Sequence, residues 1–87
     1  MLYNYVPQAK VIVKENIFCP DYPSLSISNW EGTIERIIKF NTEIFFLIKW
    51  NTNTINTMPQ DYLIDSNKKN LDYKYMYLKS NKLITTI

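Results

Sequence analysis

No histidine occurs in this sequence, so the commonest general base and metal ligand at neutral pH is missing. Cys19 is the sole cysteine. A thiolate nucleophile needs a cationic neighbour or a helix N-terminus to lower its pKa. Cys19 instead precedes Pro20 in a stretch that reads as loop, and is expected to be an incidental or semi-buried thiol. Glu31, Glu35, Asp61, Asp65 and Asp72 supply carboxylates, yet their spacing singles out no pair for acid–base work. Asp65 to Asp72 has the outline of a calcium loop without the glycine of its sharp turn or the terminal bidentate glutamate, and Lys68 and Lys69 stand where ligands would. The residues therefore predict no enzyme, no metal and no cofactor.

Two surface chemistries remain. Tyr73, Tyr75 and Tyr77 alternate along Leu71 to Leu78, and seven tyrosines with two tryptophans are many for 87 residues to bury. Tyrosine presents a large contact area at low entropic cost and is enriched at interface hot spots. Tyr22, Tyr73, Tyr75 and Tyr77 are thus candidates for binding a protein partner or for self-association, unless they seal the ends of a small barrel. The alternative uses Lys68, Lys69, Lys74, Lys79 and Lys82, interleaved with the same tyrosines. Lysines that neutralise phosphates beside rings that stack on bases would bind nucleic acid or a nucleotide. Against it, the net charge is only +2, and Asp61, Asp65 and Asp72 share that part of the chain. The leading expectation is a non-enzymatic protein-interaction module, a companion subunit or an inhibitor-like binder.

The elements that must position these residues are mostly strands. With 46% hydrophobic and 15% aromatic content, residues 1–87 read as a single small domain with a packed core. Much of that content is Ile, Tyr and Phe, which suit a pleated surface. Lys10 to Lys14 forms a short strand. Glu15 to Asn29 is irregular, broken by Pro20 and Pro23, with Ser24 to Ser28 alternating like an edge strand or a loop flat on the core. The clearest pattern is a hairpin over residues 33–50. Its first arm is not cleanly two-sided, which predicts a strand that bends. Its second arm sets Ile44, Phe46, Ile48 and Trp50 against Phe45, Leu47 and Lys49, which predicts a central strand. Asn41 tolerates the left-handed conformation that a tight turn there needs.

Gly32 is the only glycine. It stands at the start of this hairpin, and either a positive φ or a close backbone approach would require it. Trp30 and Trp50 are expected in the core. Asn51 to Thr57 reads as a turn and short edge strand, and residues 59–67 as one short helix begun by Pro59. Leu71 to Leu78 fits either period two or a helical turn capped by Asp72, before a final strand over residues 82–87. The first seven residues lack the pattern of a signal peptide, and no apolar run approaches the ~20 residues of a membrane helix. With one cysteine and no bridge, the expected setting is cytoplasmic.

Pro20-Asp21-Tyr22, Trp30-Glu31-Gly32-Thr33-Ile34, Ile48-Lys49-Trp50, Met58-Pro59, Leu71-Asp72-Tyr73 and Met76-Tyr77-Leu78 occur in that order. This arrangement resembles a group of small, poorly characterised bacterial proteins with the pattern G-W-x-G-R-I, I-x-W, M-P and L-D-W-x-x-M-Y-L, over roughly residues 10–80. The chain departs from it at Asn29, where the group tends to have glycine, and at Tyr73, where it tends to have tryptophan. Glu31-Gly32 and the strand order are also similar to the variable chain of ferredoxin–thioredoxin reductase, a non-catalytic companion subunit. Both resemblances imply a mainly β, SH3-like barrel of about five strands, with a long loop after the first and a helical turn before the last.

Overall fold

β-branched and aromatic residues dominate the extended runs of the chain, and the fold follows from them. The computed structural model describes residues 9–85 and is mainly β, as the sequence predicts. Its strands are β1 (Lys10–Val13), β2 (Phe18–Cys19), β3 (Tyr22–Ser26), β4 (Glu31–Phe40), β5 (Glu43–Trp50), β6 (Tyr75–Lys79) and β7 (Leu83–Thr85). Helices α1 (Thr52–Asn56) and α2 (Gln60–Lys68) lie between β5 and β6, and a one-turn 3-10 helix, Ser80–Lys82, precedes β7. The last two residues of the expected final strand, together with residues 1–8, lie outside the described residues.

Five strands form one antiparallel sheet in the order β6-β5-β4-β1-β7, and β2 and β3 form a small ribbon. Four interstrand steps of about 4.8 Å would set β6 and β7 roughly 19 Å apart in a flat sheet. The three-residue 3-10 turn that joins them bridges only about 8 Å. The sheet must therefore curl until its edges approach.

The hairpin is where the sequence put it. Phe40 pairs with Glu43 across Asn41-Thr42, with Asn41 at φ 58°. β5 is the central strand expected, paired to β4 on one side and β6 on the other, with Phe46, Ile48 and Trp50 buried. The predicted bend in β4 is a β-bulge. Ile34 pairs with Ile48, but the next pair is Arg36 with Leu47, so Glu35 is the extra residue. The slip turns Ile37, opposite Phe46, toward the core, while Arg36 stays exposed.

Gly32 serves a close approach rather than a positive φ. All four left-handed residues among those described are asparagines: Asn16, Asn29, Asn41 and Asn70. Gly32 lies inside β4 opposite Trp50, and a Cβ there would overlap the Lys49 carbonyl oxygen and come within 2.8 Å of Ile48 Cγ2. Asn29 at φ 67° occupies the position where the resembling bacterial proteins tend to carry glycine. Asparagine tolerates that left-handed conformation without a glycine.

Several expectations are corrected. Asn51 to Thr57 is not a turn and edge strand: Asn51 caps α1, its Oδ1 accepting the Thr54 N–H at 2.8 Å. Thr54 Oγ1 accepts the Glu31 N–H and donates to the Glu31 carbonyl, each at 3.0 Å, and the Asn51 N–H donates to that same carbonyl. These bonds to the start of β4 hold a helix whose Thr and Asn residues have weak propensity for one. There are thus two helices where one was expected. α2 begins at Gln60 with Pro59 as its N-cap residue, one position from the expected start. Of the two readings of residues 71–78, period two holds from Tyr75 onward, because pairing with β5 buries Met76 and Leu78. Cys19 lies in β2, not in a loop, and is fully buried.

Behind the sheet, Val11, Val13, Ile27, Ile34, Phe46, Ile48, Trp50, Met58, Met76, Leu78 and Leu83 form the core. An aromatic chain closes one end of it. Tyr22 meets Tyr62 at 6.0 Å, Tyr62 meets Trp30 at 6.2 Å, and Trp30 meets Trp50 edge-on at 5.2 Å. Trp50 is core, as expected, whereas Trp30 is only partly buried and packs against it.

Gly32→Ala should cost about 1–3 kcal/mol, because the added Cβ meets a backbone carbonyl that cannot move without breaking the β4–β5 ladder. Urea unfolding would show it as a lower midpoint at unchanged slope. A midpoint equal to that of the unaltered protein would contradict the close-approach explanation.

Candidate surface groove on the outer face of β5 and β6

β6 alternates strictly. Met76 and Leu78 point into the core, so Tyr75, Tyr77 and Lys79 occupy the other face of the sheet. The same alternation on β5 puts Leu47 opposite Tyr77 and Lys49 opposite Tyr75. A groove of about 230 Å³ draws on both sides of β6: Leu47, Tyr75 and Tyr77 from this face, buried Met76 and Tyr62 from the core side, and Asp21, Leu71 and Asp72 from the adjoining turns. Tyr77 is 50% and Leu71 43% exposed, while Tyr62 and Met76 are buried.

Local structure explains how the rim is held. Asp72 Oδ1 accepts the Lys74 N–H at 3.1 Å and the Asp72 carbonyl accepts the Tyr75 N–H, which turns the chain from Asn70 at φ 58° into β6. Leu71 donates its N–H to the Ser66 carbonyl, tying the turn to the end of α2. Asp21 follows β2 in the turn to β3, and Lys69 Nζ donates to its carbonyl at 3.0 Å while pairing with Asp65 at 3.0 Å. The lining therefore carries two carboxylates and no cation.

The candidate tyrosines separate into two sets. Tyr75 and Tyr77 line the groove. Tyr22 and Tyr73 are half-buried and pack against the core, Tyr22 within the aromatic chain. The candidate lysines are not assembled into one patch by any shared contact. Lys69 is held by Asp65 and Asp21, Lys79 pairs with Glu43 at 2.9 Å, and Lys68 and Lys74 are exposed. Lys82 is half-buried in the 3-10 turn. Asp21, Leu47, Tyr62, Leu71 and Met76 are groove residues that the sequence did not mark for binding, and Asp72 was marked there only as a carboxylate and a possible helix cap. Leu47 had a signal, its apolar position on the face of β5 away from Phe46, whereas Asp21 joins only through the folded β2–β3 turn.

Beneath the groove sits a small polar cluster. Burial raises the Cys19 thiol above its ordinary pKa, although the Asp21 and Tyr22 N–H groups and the Tyr62 hydroxyl bond to it. Burial, and then the neighbouring Cys19, push Tyr62 up to about 12. Ser66, also buried, bonds to the Tyr62 hydroxyl. A raised thiol pKa in a buried site is the reverse of what nucleophilic activation requires. Among the described residues no cluster of three or more His, Cys, Asp or Glu side chains could hold a metal ion, and no helix is long and apolar enough to cross a membrane. No protein-family model, no curated protein and no solved structure matches the chain.

The Tyr62 shift makes a pH prediction. Its folded pKa lies above the unfolded value of 10.0, so the stability it contributes is fully present below pH 10 and is lost as pH rises through about 12. Cys19, raised in the same sense from 9.0, adds to the alkaline loss. Chemical unfolding followed against pH should therefore show stability falling above pH 10, and Tyr62→Phe should flatten that fall. An equally steep decline in Tyr62→Phe would show that the hydroxyl is not the group responsible.

Proposed function

We propose that this chain is a non-enzymatic protein-interaction module, a companion subunit or inhibitor-like binder, whose docking surface is the groove beside β6. One observation carries the reading: exposed Leu71 and Tyr77 and half-buried Tyr75 converge on a single concave, largely apolar site. Exposed aromatics clustered around a pocket are what interface anchors use, and β6 as an edge strand leaves backbone groups for a partner to meet. The acidic rim weighs against phosphate backbones, which puts nucleic acid behind a polypeptide. The strand order, the long excursion after β1 and the helical turn before β7 support an SH3-like barrel as the scaffold. A buried, unbridged Cys19 suits a cytoplasmic setting.

A photo-crosslinking amino acid placed at Tyr77, with a control at Glu35 in the β4 bulge, tests the reading in cells. The expected result is a discrete, nuclease-resistant protein adduct from position 77 and none from position 35. Crosslinking to nucleic acid, or equal yields from both positions, would overturn it.

A further inference from the structure

Resting on that reading, we infer that the groove receives an arginine side chain presented by the partner protein. At about 230 Å³ the site falls below the ~300–1,000 Å³ of small-molecule pockets and suits one long side chain. Its walls are the rings of Tyr75 and Tyr77 with Leu47 and Leu71, and Tyr62 and Met76 are the buried residues of its lining. Asp21 and Asp72 are the only charged residues of that lining. Lys69, which reaches the Asp21 carbonyl, is paired with Asp65, and Lys49, opposite Tyr75, is exposed and outside the lining, so the two carboxylates are the charges that the groove itself offers.

An apolar trough with carboxylates complements a side chain whose stem is hydrocarbon and whose tip is cationic. Guanidinium fits better than ammonium for three reasons. It stacks on tyrosine faces, it is more weakly hydrated, and its fork of N–H groups can donate to more than one carboxylate oxygen. Asp72 retains this capacity, since its Lys74 bond uses only Oδ1. An uncharged apolar tip would gain nothing from either carboxylate. A phosphate would meet like charge.

The test uses the full chain and residue-resolved NMR, titrated separately with N-acetyl-arginine amide, N-acetyl-lysine amide and N-acetyl-norleucine amide. Saturable shifts confined to Asp21, Leu47 and the Leu71 to Tyr77 segment are expected with the arginine compound. They should be weaker with lysine and absent with norleucine, and should diminish with added salt. The double variant Asp21→Asn and Asp72→Asn keeps side-chain acceptors for the turn. It should keep its spectrum and melting temperature while losing about tenfold or more in arginine affinity, since bonds to charged groups are worth that factor. Equal shifts with norleucine, no saturable shift with arginine, or an unaffected double variant would each overturn the inference. A protein adduct at Tyr77 alongside any of these would leave the docking surface standing and remove only the arginine.

Discussion

The approach of β4 to β5 at Gly32 sets the geometry on which the remainder of the domain depends. At that point Gly32 lies opposite Trp50, with the Lys49 carbonyl closer than any Cβ could tolerate. This closeness lets Trp50 remain in the core and meet Trp30, from which the aromatic chain continues through Tyr62 to Tyr22. It also brings Glu31 beside α1, where Thr54 and Asn51 satisfy its backbone. One missing side chain therefore aligns the central strand, the first helix and the ring stack that anchors α2. Each aromatic contact adds about 0.5–1.5 kcal/mol beyond area burial, so the stack matters in a domain this small.

From that anchored strand the sheet divides its labour by face. On β5, Phe46 and Ile48 build the core while Leu47 stands on the reverse side; on β6, Met76 and Leu78 do the first task and Tyr75 and Tyr77 the second. β6 pairs with β5 alone and so stands at one edge of the sheet. The turns before β3 and before β6 then bring Asp21 and Asp72 to the same groove. Tyr75 and Tyr77 thus serve the groove from the outer face, while Met76 serves the core and also forms part of the groove lining.

The sequence was most informative where a pattern was long and locally driven. Ten- and eight-residue strands of β-branched and aromatic residues, with Asn41 between them, leave little alternative to a hairpin, and the mixed faces of the first arm anticipated its bulge. α1 was not legible, because its Thr-Asn run has no helical periodicity and is held by bonds to Glu31, 23 residues from Thr54. The Leu71 to Leu78 segment was ambiguous for a similar reason: pairing with β5 decides it. Tyr75 and Tyr77 could be picked out by alternation alone. Tyr22 could not be told from them, since only its contact with Tyr62 reveals a packing role. The lysine run suggested a patch; Asp65, four residues before Lys69, was already visible as a counter-charge, whereas Glu43, which pairs with Lys79, comes into view only after folding.

The central claim is that the tyrosine face of β6 is held for binding and is not needed to seal the core. Equilibrium unfolding of Met76→Ala beside Tyr77→Ala tests it most directly, because the two residues are adjacent in sequence and opposite in face. Met76→Ala is expected to lose about 2–5 kcal/mol as a buried truncation. Tyr77→Ala, at a half-exposed site, should stay within about 1 kcal/mol of the unaltered protein. If Tyr77→Ala proves as costly as Met76→Ala, the rings are part of the seal of the core and the groove is a by-product of packing.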